Sequence, residues 1–142
     1  MINFAVCGKI KTKEKEGGTA MIYGTGIDIV EIKRIKEAMQ KDGFLERFFA
    51  ESEIEYFKSR KFAPESVAAN FAAKEAFSKA LGIGVRGFLL REVEILRDEL
   101  GKPHIALSGA AKELTDEAGI SGLYVSISHS EEYAVAQVIA EK

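Results

Sequence analysis

Cysteine occurs once in the 142 residues, so no intramolecular disulfide framework can staple this chain and no cysteine-based zinc site can form. Net charge is nearly absent too: 20 basic against 22 acidic residues leave −2, which argues against wholesale nucleic-acid binding. No apolar run approaches membrane-spanning length, and the N-terminus lacks a basic region followed by an adequate apolar one. A cytoplasmic protein without membrane or nucleic-acid partners is therefore expected. Internal repeats and low-complexity tracts are missing as well. What is present is 46% hydrophobic residues in a length that suits one domain with a real core.

Residues 1–20 stand apart. A brief apolar patch, Phe4 to Val6, precedes the charged run Lys9 to Glu16 and the pair Gly17-Gly18, and together these read as a flexible extension before a domain at 21–142. The lysines of this run belong either to a solvated tail or to a site for an acidic partner.

After Met21 the pattern is strand, helices, then mostly strands. Ile22 to Val30 is a short apolar strand, and Glu31 to Gln40 carries Ile32, Ile35 and Met39 at helical spacing. Glu51 to Ser59 forms a second helix behind Glu51 or Ser52. Pro64 sits where a long helix opens, and Gly82 where it ends. Glu92–Arg97 and His104–Leu107 form a hairpin around Gly101-Lys102-Pro103, Ser108 caps a helix through Ala118, and Leu123–Ser128 pairs with Tyr133–Ile139. The fold class is α+β with a largely antiparallel sheet and the long helix packed on it.

Three segments carry chemistry. Within the long helix, Val67, Phe71, Glu75 and Lys79 follow at i, i+4 spacing, so that a core-facing Val67 and Phe71 place Glu75 at the core's edge. A carboxylate there is costly without a partner, and either a metal ion or a solvated pair with Lys79 supplies one. Asp28 is the single carboxylate of the first strand, at its exit; it either caps the next helix or serves as a hard-oxygen ligand. Tyr124 to Ser130 alternates like a half-buried strand and ends in hydroxyls around His129, all able to bond an anion. The glycines of residues 82–87 are too irregularly spaced for a dinucleotide fingerprint; Gly82 and its neighbours form a connection or a backbone cradle for phosphate.

Taken in order, Gly26-Ile27-Asp28-Ile29-Val30-Glu31-Ile32-Lys33-Arg34-Ile35, then Phe71-Ala72-Ala73-Lys74-Glu75-Ala76-Phe77-Ser78-Lys79-Ala80, then Val125-Ser126-Ile127-Ser128-His129-Ser130, the chain resembles the small homotrimeric holo-acyl-carrier-protein synthases, which are 4′-phosphopantetheinyl transferases. The resemblance runs from Met21, where that family normally starts, to the C-terminus. Either an upstream start was used or residues 1–20 are a real leader. The resemblance implies transfer of the 4′-phosphopantetheine arm of coenzyme A to a serine of apo acyl carrier protein, in fatty acid biosynthesis. It implies that Asp28 and Glu75 hold Mg²⁺, that Lys79 meets a phosphate oxygen, and that His129 contacts coenzyme A. Serine deprotonation falls to Glu75 or to a hydroxide on the metal, two routes that the residues leave open. Arg34, with Lys33 the weaker candidate, is expected to pair with the acidic carrier. Where many relatives have arginine, this chain has Asn70, which can bond a phosphate without neutralising it; the contact is then either weaker here or supplied by Arg60, Lys61 or Arg86, within one subunit or across the boundaries of a trimer whose active sites lie between neighbours. A non-catalytic carrier-binding module would not need Asp28, Glu75, Lys79 and His129 together.

Overall fold

The computed structural model describes residues 18–142 and the backbone of Asn3–Phe4. The reading of residues 1–20 as an extension therefore falls mostly outside the described residues. Asn3–Phe4 is a two-residue strand, β1. The chain continues through β2 (Ile22–Glu31), α1 (Ile32–Ala38), α2 (Phe44–Phe48), α3 (Glu51–Ser59) and α4 (Pro64–Leu81). After a 3-10 turn at Leu90–Glu92 come β3 (Val93–Arg97), β4 (Pro103–Leu107), α5 (Gly109–Glu117), β5 (Gly122–His129) and β6 (Tyr133–Glu141). One antiparallel sheet has the order β1-β5-β6-β2, and β3-β4 is a separate antiparallel pair. The α+β class and the helix-on-sheet arrangement agree with the sequence.

Helix α4 lies on the face of the sheet built by alternate residues. Gly24, Gly26 and Asp28 of β2 stand opposite Ala140, Val138 and Ala136 of β6, which stand opposite Leu123, Val125 and Ile127 of β5. The residues of β5 and β6 in these rows are buried, because α4 covers them with its own buried Ala69, Ala72, Ala73, Ala76 and Ala80. Small residues on both sides allow a close approach. A Cβ on Gly24 would overlap the Ala80 carbonyl, and one on Gly26 the Ala76 carbonyl and the Ala80 amide. The two glycines thus set the height of α4 above β2.

The other face of β2 is open. Ile27 and Ile29 are 61% and 64% exposed, beside the half-buried Val135. One strand therefore carries a catalytic candidate on one face and an unpaired apolar stripe on the other.

Several local expectations change. Asp28 does not cap α1; it lies inside β2, and the N-cap position is Glu31. Neither Glu51 nor Ser52 caps α3: the Ala50 amide donates to the Glu53 carboxylate at 2.9 Å, and the Ser52 hydroxyl bonds Glu94. Ser108 occupies the N-cap of α5 without a side-chain bond, while the Glu92 carboxylate accepts from the Ala111 amide at 3.3 Å. A carboxylate at a helix N-terminus does the work of a capping hydroxyl and complements the dipole. Pro64 opens α4, and Gly82 ends it at φ +74, a left-handed conformation that favours glycine.

Candidate active site

The stripe Val67, Phe71, Glu75, Lys79 climbs out of the core. Val67 is fully buried, Phe71 and Glu75 are half-buried, and Lys79 is exposed. Because Ala80 sits over Gly24 and Ala76 over Gly26, α4 runs antiparallel to β2, and Glu75 arrives at the level of Asp28, the next residue on that face. The alternation Gly24-x-Gly26-x-Asp28 brings a carboxylate into line once the glycines have drawn the helix down.

Lys79 does not pair with Glu75. Its ammonium donates to the Asp28 carboxylate at 2.9 Å and to the Ile27 carbonyl at 2.9 Å. Burial first, and the Asp28 charge second, push the Glu75 carboxyl above its ordinary range, with Lys79 opposing them. Two hard-oxygen groups with mutual repulsion are a donor set suited to a small divalent cation, whose remaining positions stay open to water and substrate oxygens. Among the described residues no group of three or more His, Cys, Asp or Glu side chains could hold a metal, so the fit rests on this pair.

Asp28 and Glu75 border a cleft of about 360 Å³, together with Arg34, Ile35, Ala38, Phe44 and Phe71. Arg34 thus joins the carboxylates, whereas Lys33, exposed on α1, does not line the cleft. The apolar wall of Phe44 and Ala38 escapes the sequence reading. The run of Phe44, Phe48 and Phe49 is the signal that could have found it, since these rings pack on Phe71 at 5.8–6.5 Å.

His129 and Arg60 meet in a second cleft of about 310 Å³, with Ser59, Lys61 and the first turn of α4 at Glu65 and Ser66. Arg60 and Lys61, two cations just before an 18-residue helix, make a setting for an anion. Lys61 and Phe62 hold φ +54 and +52 there, left-handed conformations unusual for side-chain-bearing residues. Gly82 is not brought to this place. It follows Ala80, above Gly24, at the end of β2 remote from Val30, the residue aligned through Ala134 with His129.

Asn70 corrects a further expectation. It is fully buried, donates to Glu53 at 3.2 Å and to the Ile95 carbonyl at 3.1 Å, and accepts from Arg97 at 2.9 Å. Its amide is committed to these interior partners.

A family model for the 4′-phosphopantetheinyl transferase superfamily matches residues 24–138, a span that holds Asp28, Glu75 and His129. The chain belongs to this superfamily. Among phosphopantetheinyl transferases it is similar to the holo-(acyl-carrier-protein) synthase of Clostridium botulinum, 52% identical over 122 residues that cover 85% of this chain and 98% of that protein. The crystal structure of the corresponding synthase from Neisseria meningitidis superimposes with a TM-score of 0.80 at 41% identity, covering 86% of this chain and all of that one. The synthase of Bacillus anthracis, solved in complex with coenzyme A (3′,5′-ADP), gives 0.73 at 40% identity and covers 86% and 98% of the two chains. Among the described residues no helix is long and apolar enough to cross a membrane.

Proposed function

We propose that this phosphopantetheinyl transferase moves the 4′-phosphopantetheine arm of coenzyme A onto a serine of apo acyl carrier protein, releasing adenosine 3′,5′-bisphosphate, for fatty acid biosynthesis in the cytoplasm. The observation that carries the reading is the facing pair Asp28 and Glu75, in a cleft that Arg34 also lines, in a chain of this family. The serine oxygen forms a bond to the phosphorus bearing pantetheine, the bond to the bridging oxygen breaks, and the electron pair leaves with the bisphosphate. Such a displacement needs charge neutralisation and alignment more than a protein nucleophile. Asp28 and Glu75 would hold Mg²⁺, which when bound supplies charge stabilisation to the pyrophosphate. Lys79, 52% exposed and ion-paired with Asp28, offers a point charge for a phosphate oxygen. Glu75, which borders the cleft, would also be placed to receive the serine proton. The cleft of His129 and Arg60 would take a phosphate of coenzyme A. Incubation with coenzyme A, Mg²⁺ and an apo carrier, followed by weighing the carrier, tests the reaction; a carrier of unchanged mass overturns it.

Arg34 has the geometry of a docking residue, exposed on α1 and bordering the same cleft. Reversal to glutamate replaces attraction to an acidic carrier by repulsion and should weaken carrier affinity by about tenfold at low salt, the difference shrinking as salt is added. Titration of labelled carrier checks it. Coenzyme A binding measured without carrier should stay unchanged.

We also propose a homotrimer, a reading supported by the open isoleucine stripe and by the separation of Gly82 from the cleft of His129 and Arg60 within one chain. Neighbouring subunits would cover the stripe and complete each site. Ile27→Asp together with Ile29→Asp should shift the sedimenting species to monomer and reduce turnover. A trimer that survives both charges would place the interface elsewhere.

A further inference from the structure

The alanines that bring α4 close to the sheet leave a mechanical question. A stripe of Ala69, Ala72, Ala73, Ala76 and Ala80 is smooth; without long side chains interlocking with a neighbour, it limits the height of the helix but only weakly its rotation. Rotation matters at Glu75. With side-chain atoms about 5–6 Å from the axis, a turn of about 20° moves its carboxylate by about 2 Å, against a tolerance of about 0.2 Å for metal–ligand distances.

On the far side from β2, α4 is anchored by Asn70, bonded to Glu53, the Ile95 carbonyl and Arg97, and by one long side chain next to Glu75. Lys74, adjacent to Glu75, is wholly buried, and its ammonium donates to Glu53 at 2.7 Å, to the Leu90 carbonyl at 2.9 Å and to the Val93 carbonyl at 2.6 Å. Glu53 is equally buried and also accepts from the amides of Ala50 and Ile95 and from Asn70. These bonds join α4 to α3, to the 3-10 turn and to β3. A buried ion pair contributes little net stability compared with apolar residues of the same volume, which leaves the definition of a geometry as the role to test.

We propose that Lys74 is a positioning residue: it locks the rotation of α4 and thereby sets the approach of Glu75 to Asp28. The inference rests on the reading that these two carboxylates hold a divalent cation. Lys74 itself reaches no substrate.

The test separates geometry from stability. Lys74→Met alone strands the Glu53 charge and should unfold readily. The paired variant Glu53→Gln/Lys74→Met removes both charges and should recover a melting temperature near wild type. Mn²⁺ binding, followed by the electron paramagnetic resonance of the free ion, should nevertheless weaken by at least about tenfold, with kcat falling more than the KM for coenzyme A. A paired variant that melts and binds Mn²⁺ as wild type does would reduce Lys74 to a structural role and overturn the proposal. Should the pair fail to fold, Lys74→Arg decides, because it keeps the charge opposite Glu53 but cannot seat one ammonium between two carbonyls. Weakened Mn²⁺ binding in that variant supports positioning, and unchanged binding refutes it. Asp28→Ala serves as the control for the underlying reading: if it binds Mn²⁺ like wild type, the cation site itself is wrong.

Discussion

Glu75→Gln should yield a protein that melts at a higher temperature than wild type in metal-free buffer at pH 7–8 and yet has lost nearly all transfer activity. The two effects have one cause. Burial and the neighbouring Asp28 both disfavour the ionised Glu75 carboxylate, so the folded protein carries a repulsion that the unfolded chain does not. Because the folded pKa is raised above the unfolded value of 4.5, this penalty is absent well below pH 4.5 and is complete once pH exceeds the folded pKa. The melting advantage of Glu75→Gln should therefore grow as pH rises through that window and vanish in acid. Added Mg²⁺ should raise the melting temperature of wild type but not of the variant, since a ligand stabilises only the state that binds it. Calorimetry with and without Mg²⁺ checks the sign. A variant less stable than wild type in chelator would refute the repulsion.

Gly26→Ala should damage the molecule in the opposite way, through shape alone. The added methyl meets the Ala76 carbonyl and the Ala80 amide, both backbone, and neither can swing aside as a side-chain tip would. Helix α4 must lift or slide, and overpacking of this kind costs about 1–3 kcal/mol or more, which lowers the melting temperature by about 2–4 °C per kcal/mol in a protein near this size. Activity should fall further than stability accounts for, because Glu75 moves with the helix while Asp28 stays with the strand. Turnover at a temperature where the variant is fully folded measures that excess. Full activity there would mean that the spacing of the two carboxylates is not critical.

Much of this arrangement is legible in the residues because it is local. Pro64 and Gly82 bracket α4, the alternation of Leu123–Ser128 and Tyr133–Ile139 gives β5 and β6, and Gly101 marks the turn of the β3–β4 hairpin. Periodicity speaks only of neighbours along the chain, and the misreadings arise where a distant group wins. Lys79 prefers Asp28, 51 residues away, to Glu75 one turn away, because the carboxylate within β2 accepts it together with the Ile27 carbonyl. Ser108 is displaced from its capping role by Glu92, and Asn70 is drawn inward by Glu53 and Arg97. Helix α2, five residues behind Gly43, has too little sequence of its own to announce itself; aromatic contacts between Phe44, Phe48 and Phe71 accompany it. The pairing of Asp28 with Glu75 is legible through resemblance, while its cause, two glycines that admit a helix, is visible only in three dimensions.

The sheet order has a consequence for the life of the chain. Asp28 belongs to β2, whose one strand partner among the described residues is β6, the last strand of those residues; the two ends of this unit meet where Met21 and Lys142 exchange main-chain hydrogen bonds of 3.0 and 2.8 Å. While residues 133–141 are still in the ribosome tunnel, β2 has nothing to pair with and α4 has only part of a sheet to cover. A nascent molecule should therefore be inert until β6 has emerged from the ribosome. Premature stops or proteolytic trimming inside β6 should abolish function outright, with no graded loss, and the adjacency of Met21 and Lys142 makes a circular permutation joining them the natural way to move that last step elsewhere.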